Sequence, residues 1–225
     1  MIKIAPEGYP FIIISFLSAS IFGTAAYSLW KSEFSNSFLY SLMFATGLSV
    51  LVTLLMLFFF RDPDRNIPGG EGIYVSPADG KIILIKDVYE KDYLKAGTRE
   101  ISIFMSPLDV HVNRAPCDGK VVVVKYSPGK YFAAYKDDAS IRNENIAMVL
   151  GWEKGRLLVR QVAGFLARRA VCRAKAGDLL KRGERYGIIK FSSRLDVYLP
   201  EDARIMVKIG DKVKAGETVI ALQAL

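Results

Sequence analysis

A single histidine, two cysteines and one short polar cluster bound the chemistry open to this chain of 225 residues. Residues 104–119, FMSPLDVHVNRAPCDG, set Asp109, His111, Asn113 and Arg114 within six positions. Side chains alternate along an extended strand, so Asp109, His111 and Asn113 are expected on one face. An imidazole among hydrogen-bonding groups is a proton-handling site, although a solvated strand face would read the same way. With one His, HExxH zinc hydrolysis and any other site needing two imidazoles are excluded, and no metal is expected. Cys117 and Cys172 stand far apart with no CxxC spacing, which excludes a disulfide scaffold and favours a reducing compartment.

The elements that hold this cluster begin with an apolar N-terminal region. The chain is 51% hydrophobic, too apolar for disorder, and part of that excess is assigned to membrane. Residues 11–30, FIIISFLSASIFGTAAYSLW, and 39–60, LYSLMFATGLSVLVTLLMLFFF, carry no charge. At about 1.5 Å per residue each matches a hydrocarbon core of roughly 30 Å. Residues 1–60 therefore read as a transmembrane helical hairpin, and the second span argues against a cleaved signal peptide. Lys3, Arg61 and Arg65 flank its outer ends, while Lys31 is balanced by Glu33 in the turn. The positive-inside tendency then puts both termini, and the domain that follows, on the cytoplasmic side of the cell membrane.

Residues 61–72, RDPDRNIPGGEG, have the Pro, Gly and charge content of a linker. From residue 73 to 225 the pattern changes to short runs rich in Val, Ile and Tyr, punctuated by Gly, Pro and Asp, so a mainly β domain is expected. It contains internal repeats. SPADGKIILI at 76–85 resembles APCDGKVVVV at 115–124, and GDLLKRGERYGI at 177–188 resembles GDKVKAGETVIA at 210–221. Asp-Gly turns feeding apolar runs, in two interleaved copies, suggest a barrel-sandwich hybrid built from duplicated lipoyl-like half-motifs. A lipoyl-type carrier would present its Lys at a hairpin tip; Met206, Val207 and Lys208 precede the turn instead. A membrane adaptor or scaffold built on such a sandwich is the non-enzymatic alternative, but the long heptad-patterned hairpin of efflux adaptors is missing.

Several separated motifs, FFFRDPDR, VSPADGKI, FMSPLDVHVNRAP, RNENIAMVL, VRQVAG and KRGERYGIIKFSSRLDVYLP, occur between about Phe58 and Leu199. Together and in this order they resemble the phosphatidylserine decarboxylases, in particular the short membrane-anchored form, which also includes archaetidylserine decarboxylases. The resemblance implies a proenzyme that cuts its own backbone at the last motif and turns a serine into a covalent pyruvoyl group. On this chain the serine is Ser193 and the bond is Ser192–Ser193, giving chains 1–192 and 193–225. No natural side chain is a strong electrophile, which is why decarboxylating an α-amino acid calls for such a carbonyl.

Family members usually carry glycine where Ser192 stands. A Cβ at that point restricts the backbone, and a block to processing is the corresponding alternative. Other pyruvoyl enzymes, such as bacterial histidine decarboxylase, cut between two serines. Longer family members carry a second histidine where Arg114 stands. The resemblance implies a self-cleavage triad of that second histidine, the serine and an aspartate matched here by Asp79 in SPADG. With Arg114 in the histidine's place, His111, the chain's one imidazole, is the candidate that assists Ser193 with Asp79, and it is also the candidate for proton delivery after CO2 loss. An imidazole suits that role, since it titrates near pH 6.5 in unperturbed peptides. Asp79 could equally just close its Asp-Gly turn. Gly187, Ile188, Phe191 and Arg194 are expected to shape the cleavage loop. A serine hydrolase using Asp79, His111 and Ser193 is disfavoured, because FSSRLDVYL lacks a glycine elbow.

The partners implied are a phospholipid substrate, the membrane and the chain's own C-terminal fragment. The net charge of +8 suits a phosphate-bearing surface. Nucleic acid is disfavoured for want of a recognition helix or aromatic platform. The clusters Arg168, Arg169, Arg173 and Lys175, with Lys181, Arg182 and Arg185, are assigned to anionic lipid, and a homodimer is left open.

Overall fold

The computed structural model describes residues 3–32, 37–129, 143–153, 155–164, 169–190 and 193–224. Two compact units divide the chain, Met1–Asp64 and Arg65–Leu225.

In the first unit, α1 (Tyr9–Lys31) and α2 (Ser37–Phe59) match the expected spans to within two residues at each end. Each has 23 residues, about 35 Å of helix, and both are long and apolar enough to cross a membrane. They run antiparallel. Thr53 donates to the Ser15 hydroxyl at 3.0 Å between the helices, and Gly23 packs opposite Thr46. Large side chains such as Phe16, Ile21, Phe44 and Leu54 face outward. A two-residue strand, β1 (Lys3–Ile4), pairs with β2 (Arg61–Asp62), and Lys3 bonds Asp64 at 3.0 Å. Arg61 lies 3.9 Å over the Phe58 ring.

The second unit is mainly β, with a curled eight-stranded antiparallel sheet at its centre. Its chain order is β3 (Ile73–Val75), β4 (Gly80–Glu90) and β5 (Ala96–Met105), followed by β6 (Val112–Arg114), β7 (Gly119–Ser127), β8 (Asn145–Trp152) and β9 (Gly155–Ala163). Next come β10 (Arg169–Cys172), β11 (Leu179–Leu180) and β12 (Arg185–Lys190). The last four are β13 (Ser193–Pro200), β14 (Arg204–Ile205), β15 (Lys212–Val213) and β16 (Val219–Leu222). The central sheet has the order β11-β7-β8-β9-β13-β5-β4-β15, and two three-stranded sheets have the orders β10-β12-β6 and β14-β16-β3.

These orders are two copies of one unit. An inner half, β6 to β12, is inserted into an outer half made of β3 to β5 and β13 to β16. β4 pairs with β15 through Gly80–Val213, and β7 pairs with β11 through Gly119–Leu180. Ile82 N–H donates to Asp211 at 2.9 Å, as Val121 N–H does to Asp178 at 2.8 Å. Gly216 and Gly183 both have φ +77° and donate at 2.8 Å to Ser76 and Ala115. Each first long strand also carries a bulge at the same place, Ile82/Leu84 and Val121/Val123. The repeated Asp-Gly-Lys and Gly-Asp segments are therefore the turns that lock each half to itself.

One apolar core runs through both halves. Ile101 and Ile103 of β5, Leu150 of β8, Leu157 of β9 and Leu195 and Val197 of β13 are all fully buried. Each such side chain stabilises the fold by about 1.5–3 kcal/mol relative to exposure. The segment 61–72 is shared: Arg61 and Asp62 form β2, whereas residues from Arg65 onward belong to the β unit. There Arg182 donates to the Gly70 carbonyl at 2.9 Å.

Candidate functional site

The site lies where the inner half is spliced into the outer one. The outer half leaves at Met105 and resumes at Ser193, and these two residues are direct partners across β5 and β13. At the equivalent place in the inner half, Trp152 and Gly155 face each other across the β8–β9 hairpin. One junction is closed by a tight turn. The other is open, and the connection that leaves it carries His111.

Ser193 is fully buried, and its hydroxyl donates to Met105 Sδ at 3.4 Å. Asn113 Nδ2 approaches the same sulfur at 3.9 Å. Asn113 Oδ1 accepts from Gln161 Nε2 at 2.8 Å, and that nitrogen also reaches the Val171 carbonyl at 3.3 Å. Gly187 sits opposite Asn113 in the β6–β12 pair. A Cβ there would collide with the Val171 oxygen and lie 2.9 Å from Gln161 Nε2, so only glycine lets these groups close up.

His111 immediately precedes β6 and is fully buried. Its carbonyl accepts from Ile189 N–H at 3.3 Å, which ties it to β12. Its Nδ1 lies 3.0 Å from the Asp109 carbonyl. Beside an acceptor-only oxygen, Nδ1 carries the hydrogen, which makes Nε2 the basic nitrogen of the neutral ring.

Asp79 occupies the turn before β4. Its carboxylate accepts twice from Arg65 Nη2, at 2.9 and 2.8 Å, and from Ala215 N–H at 2.8 Å. Burial raises its pKa; the Ala215 N–H and the Arg65 guanidinium pull it back down. Among the described residues its side-chain hydrogen bonds run to these two partners and not to Ser193. The repeat explains part of this. Asp118, at the matching turn, accepts from Arg182 N–H at 2.9 Å. Turn closure is thus common to both halves, and the buried ion pair with Arg65 belongs to Asp79 alone among these two.

The expectation that Asp109 shares a strand face with His111 and Asn113 needs correction. The strand begins only at Val112, and the Asp109 carboxylate accepts from Ser106 N–H at 2.8 Å, closing a turn. Arg114 donates to the Gly183 carbonyl at 2.9 Å. Ser192 and Phe191, like Arg168 and Glu33, lie outside the described residues. Ile188 is buried in β12.

Arg194 points to the sheet face opposite Ser193. It is 1% exposed and bonds Asp196, the Ser102 hydroxyl at 2.8 Å and Glu100 at 3.2 Å, while Lys86 reaches Glu100 at 3.3 Å. This network fixes the residue next to Ser193. Burial pushes the Cys117 thiol up to about 12 and also raises Cys172, so neither is a nucleophile at neutral pH.

Sequence reasoning did not single out Met105 or Gln161, and read Arg65 only as a cation flanking the helical hairpin. Gln161 and Arg65 do lie inside quoted motifs, VRQVAG and FFFRDPDR. Their partners lie 48 and 14 residues away along the chain, and only the folded register reveals them.

A fully buried serine thus sits at the splice point of a duplicated β domain, where the Asn113 carboxamide meets the same Met105 sulfur and Gln161 holds that carboxamide. The phosphatidylserine decarboxylase family profile matches residues 52–221. A protein of Geotalea uraniireducens (strain Rf4) named phosphatidylserine decarboxylase proenzyme is 42% identical over 220 residues, covering 97% of this chain and 96% of its own. Proteins with that name from Citrifermentans bemidjiense and Geobacter sp. (strain M21) are 46% and 44% identical, with the same coverage. The chain belongs to the phosphatidylserine decarboxylase family.

Proposed function

We propose that this chain is a membrane-anchored proenzyme that cuts itself between Ser192 and Ser193 and then decarboxylates phosphatidylserine to the ethanolamine lipid. The observation that carries this reading is Ser193 itself, a buried hydroxyl at the first position of β13. That strand is paired with β5 from Ser193 to Pro200 and with β9 from Ser193 to Tyr198. A cut before Ser193 would leave the fragment 193–225 clamped in the middle of the sheet, with Arg194 anchoring its start.

In this reading Ser193 Oγ attacks the preceding carbonyl and forms an ester. Loss of the Ser193 α-hydrogen and of the ester carboxylate then gives dehydroalanine, and water releases ammonia to leave pyruvoyl. The surroundings of Ser193 fit such a group: the Met105 thioether touches its hydroxyl, and the Asn113 carboxamide, held by Gln161, meets the same sulfur. When formed, the group supplies a carbonyl that takes the substrate amine and accepts the electron pair left by CO2. His111 Nε2 is the chain's proton carrier, with Asp79 holding the adjoining turn through Arg65. The helices α1 and α2 anchor the enzyme in the membrane, with the β unit on the cytoplasmic side, where the lipid headgroup is presented.

Intact-mass analysis of purified protein before and after incubation tests this directly. Expected are a 1–192 chain and a fragment of 33 residues that is blocked to N-terminal sequencing yet reacts with a carbonyl reagent. Carboxyl-labelled phosphatidylserine in liposomes should release labelled CO2. Ser192→Gly should cut at least as fast. Material that stays whole in both forms and releases no CO2 would return the chain to the scaffold reading.

A further inference from the structure

The two carboxamides beside Ser193 are arranged with a definite polarity. Gln161 is 1% exposed, and its Nε2 faces two acceptors, Asn113 Oδ1 and the Val171 carbonyl. Its amide therefore cannot be turned around without setting oxygen against oxygen. The cost of this orientation is visible at the other end: Gln161 Oε1 is buried with no donor among the described residues. Holding Asn113 by its oxygen forces Asn113 Nδ2 the other way, onto Met105 Sδ, where the Ser193 hydroxyl also points. A thioether is a weak acceptor, so both donors are held in place but surrendered cheaply to an oxygen that carries charge.

We propose that Asn113 Nδ2–H is the hydrogen-bond donor to the oxyanion formed in self-cleavage, and that Gln161 is the positioning residue that aims it. The inference rests on the proposed function above. As Ser193 Oγ bonds to the Ser192 carbonyl carbon, the C=O π pair moves onto oxygen and the hydroxyl proton passes to a base, for which His111 is the candidate. Asn113 then exchanges Met105 Sδ for that oxygen. Collapse breaks the C–N bond, the Ser193 nitrogen takes a proton, and the ester remains. A preset donor in a buried site has no reorganisation to undergo when the charge develops.

The experiment follows fragment release from freshly made full-length protein by intact mass, with and without hydroxylamine, which intercepts an ester. Asn113→Asp removes the donor at nearly constant shape. Gln161→Glu leaves Asn113 intact but sets a carboxylate against its oxygen, turning the donor away. Each should slow cutting by about 100-fold, the usual loss for one oxyanion donor. The double variant should be no slower than either single one, because both act on one hydrogen bond. Hydroxylamine should not rescue the rate, since ester formation is the impaired step. Rescue to the wild-type rate, or a lowered melting temperature with unchanged cutting, overturns the assignment. If Asn113→Asp fails to fold, Gln161→Glu with the melting control decides alone. A wild-type chain that never cuts would instead sink the proposed function, and this inference with it.

Discussion

The two junctions of the duplicated domain are built on the same backbone and lined by opposite chemistry. In the inner half, Trp152 and Gly155 close a hairpin, and the Trp152 ring packs against Tyr74 of β3 with centroids 6.0 Å apart. In the outer half, Met105 and Ser193 take those positions, and Asn113 of β6 stands in the place of Tyr74. An aromatic plug in one half corresponds to a thioether, a carboxamide and a hydroxyl in the other. The repeated turns account for the fold in both, so turn residues alone do not mark the site. The site is where the duplication is broken open and apolar filling is replaced by hydrogen-bonding groups.

That contrast can be broken experimentally, and the largest effect is expected at the paired positions themselves. Ser193→Ala should abolish fragment release completely, whereas Gly155→Ser, which places a hydroxyl at the matching junction, should produce no new cut there. Mass spectrometry reads both, and a cut at the substituted Gly155 position would show that the backbone rather than the lining does the chemistry.

The matched turns give the next effect. Arg65→Met leaves the Asp79 carboxylate buried without its cation, at a cost of about 3–5 kcal/mol in denaturant unfolding. Asp118→Ala at the exposed twin turn should lose much less. The Arg65 variant should also become pH-sensitive. With the cation gone, burial lifts the Asp79 pKa further above its unfolded value near 3.8. The protonated form is then the stable partner of the fold, so stability is held at low pH and lost as pH rises through the folded value. Unfolding midpoints should fall from pH 4 to pH 8 by more than in the wild type.

Gly187→Ala should cost about 1–3 kcal/mol, because its Cβ meets the Val171 carbonyl, and should also slow cutting by displacing Gln161. The smallest effect belongs to the plug. The Tyr74 hydroxyl is buried without a partner among the described residues, so Tyr74→Phe should leave stability within about 0.5 kcal/mol or raise it, with cutting unchanged. A strong loss of cutting would mean that the two junctions communicate.

Much of this was legible in the sequence because it depends on local spacing. Uncharged runs gave the helices, and Asp-Gly-Lys and Gly-Asp turns gave the repeat and with it the mainly β architecture. What stayed hidden depends on register between distant strands. Asn113 could be suspected from its neighbours, but Gln161 meets it only because β9 and β6 are brought together by the inserted topology. Asp109 misled because a strand pattern was extended through a turn that its own carboxylate closes. The segment from Arg65 to Gly72 has the composition of a tether, yet charge and backbone carbonyls there are used against Asp79 and Arg182. Composition reports what a segment can avoid forming, and says nothing of what it leans on.

The position of β13 between β5 and β9 has a further consequence for the life history of the molecule. While the polypeptide is continuous, threading that strand into the sheet is an intramolecular event. Under the proposed cut before Ser193 it would become a search by a 33-residue peptide for a slot flanked on both sides. Material denatured after that cut should therefore fail to regain its native form under dilution that restores the precursor, so that each cut copy would be assembled only once.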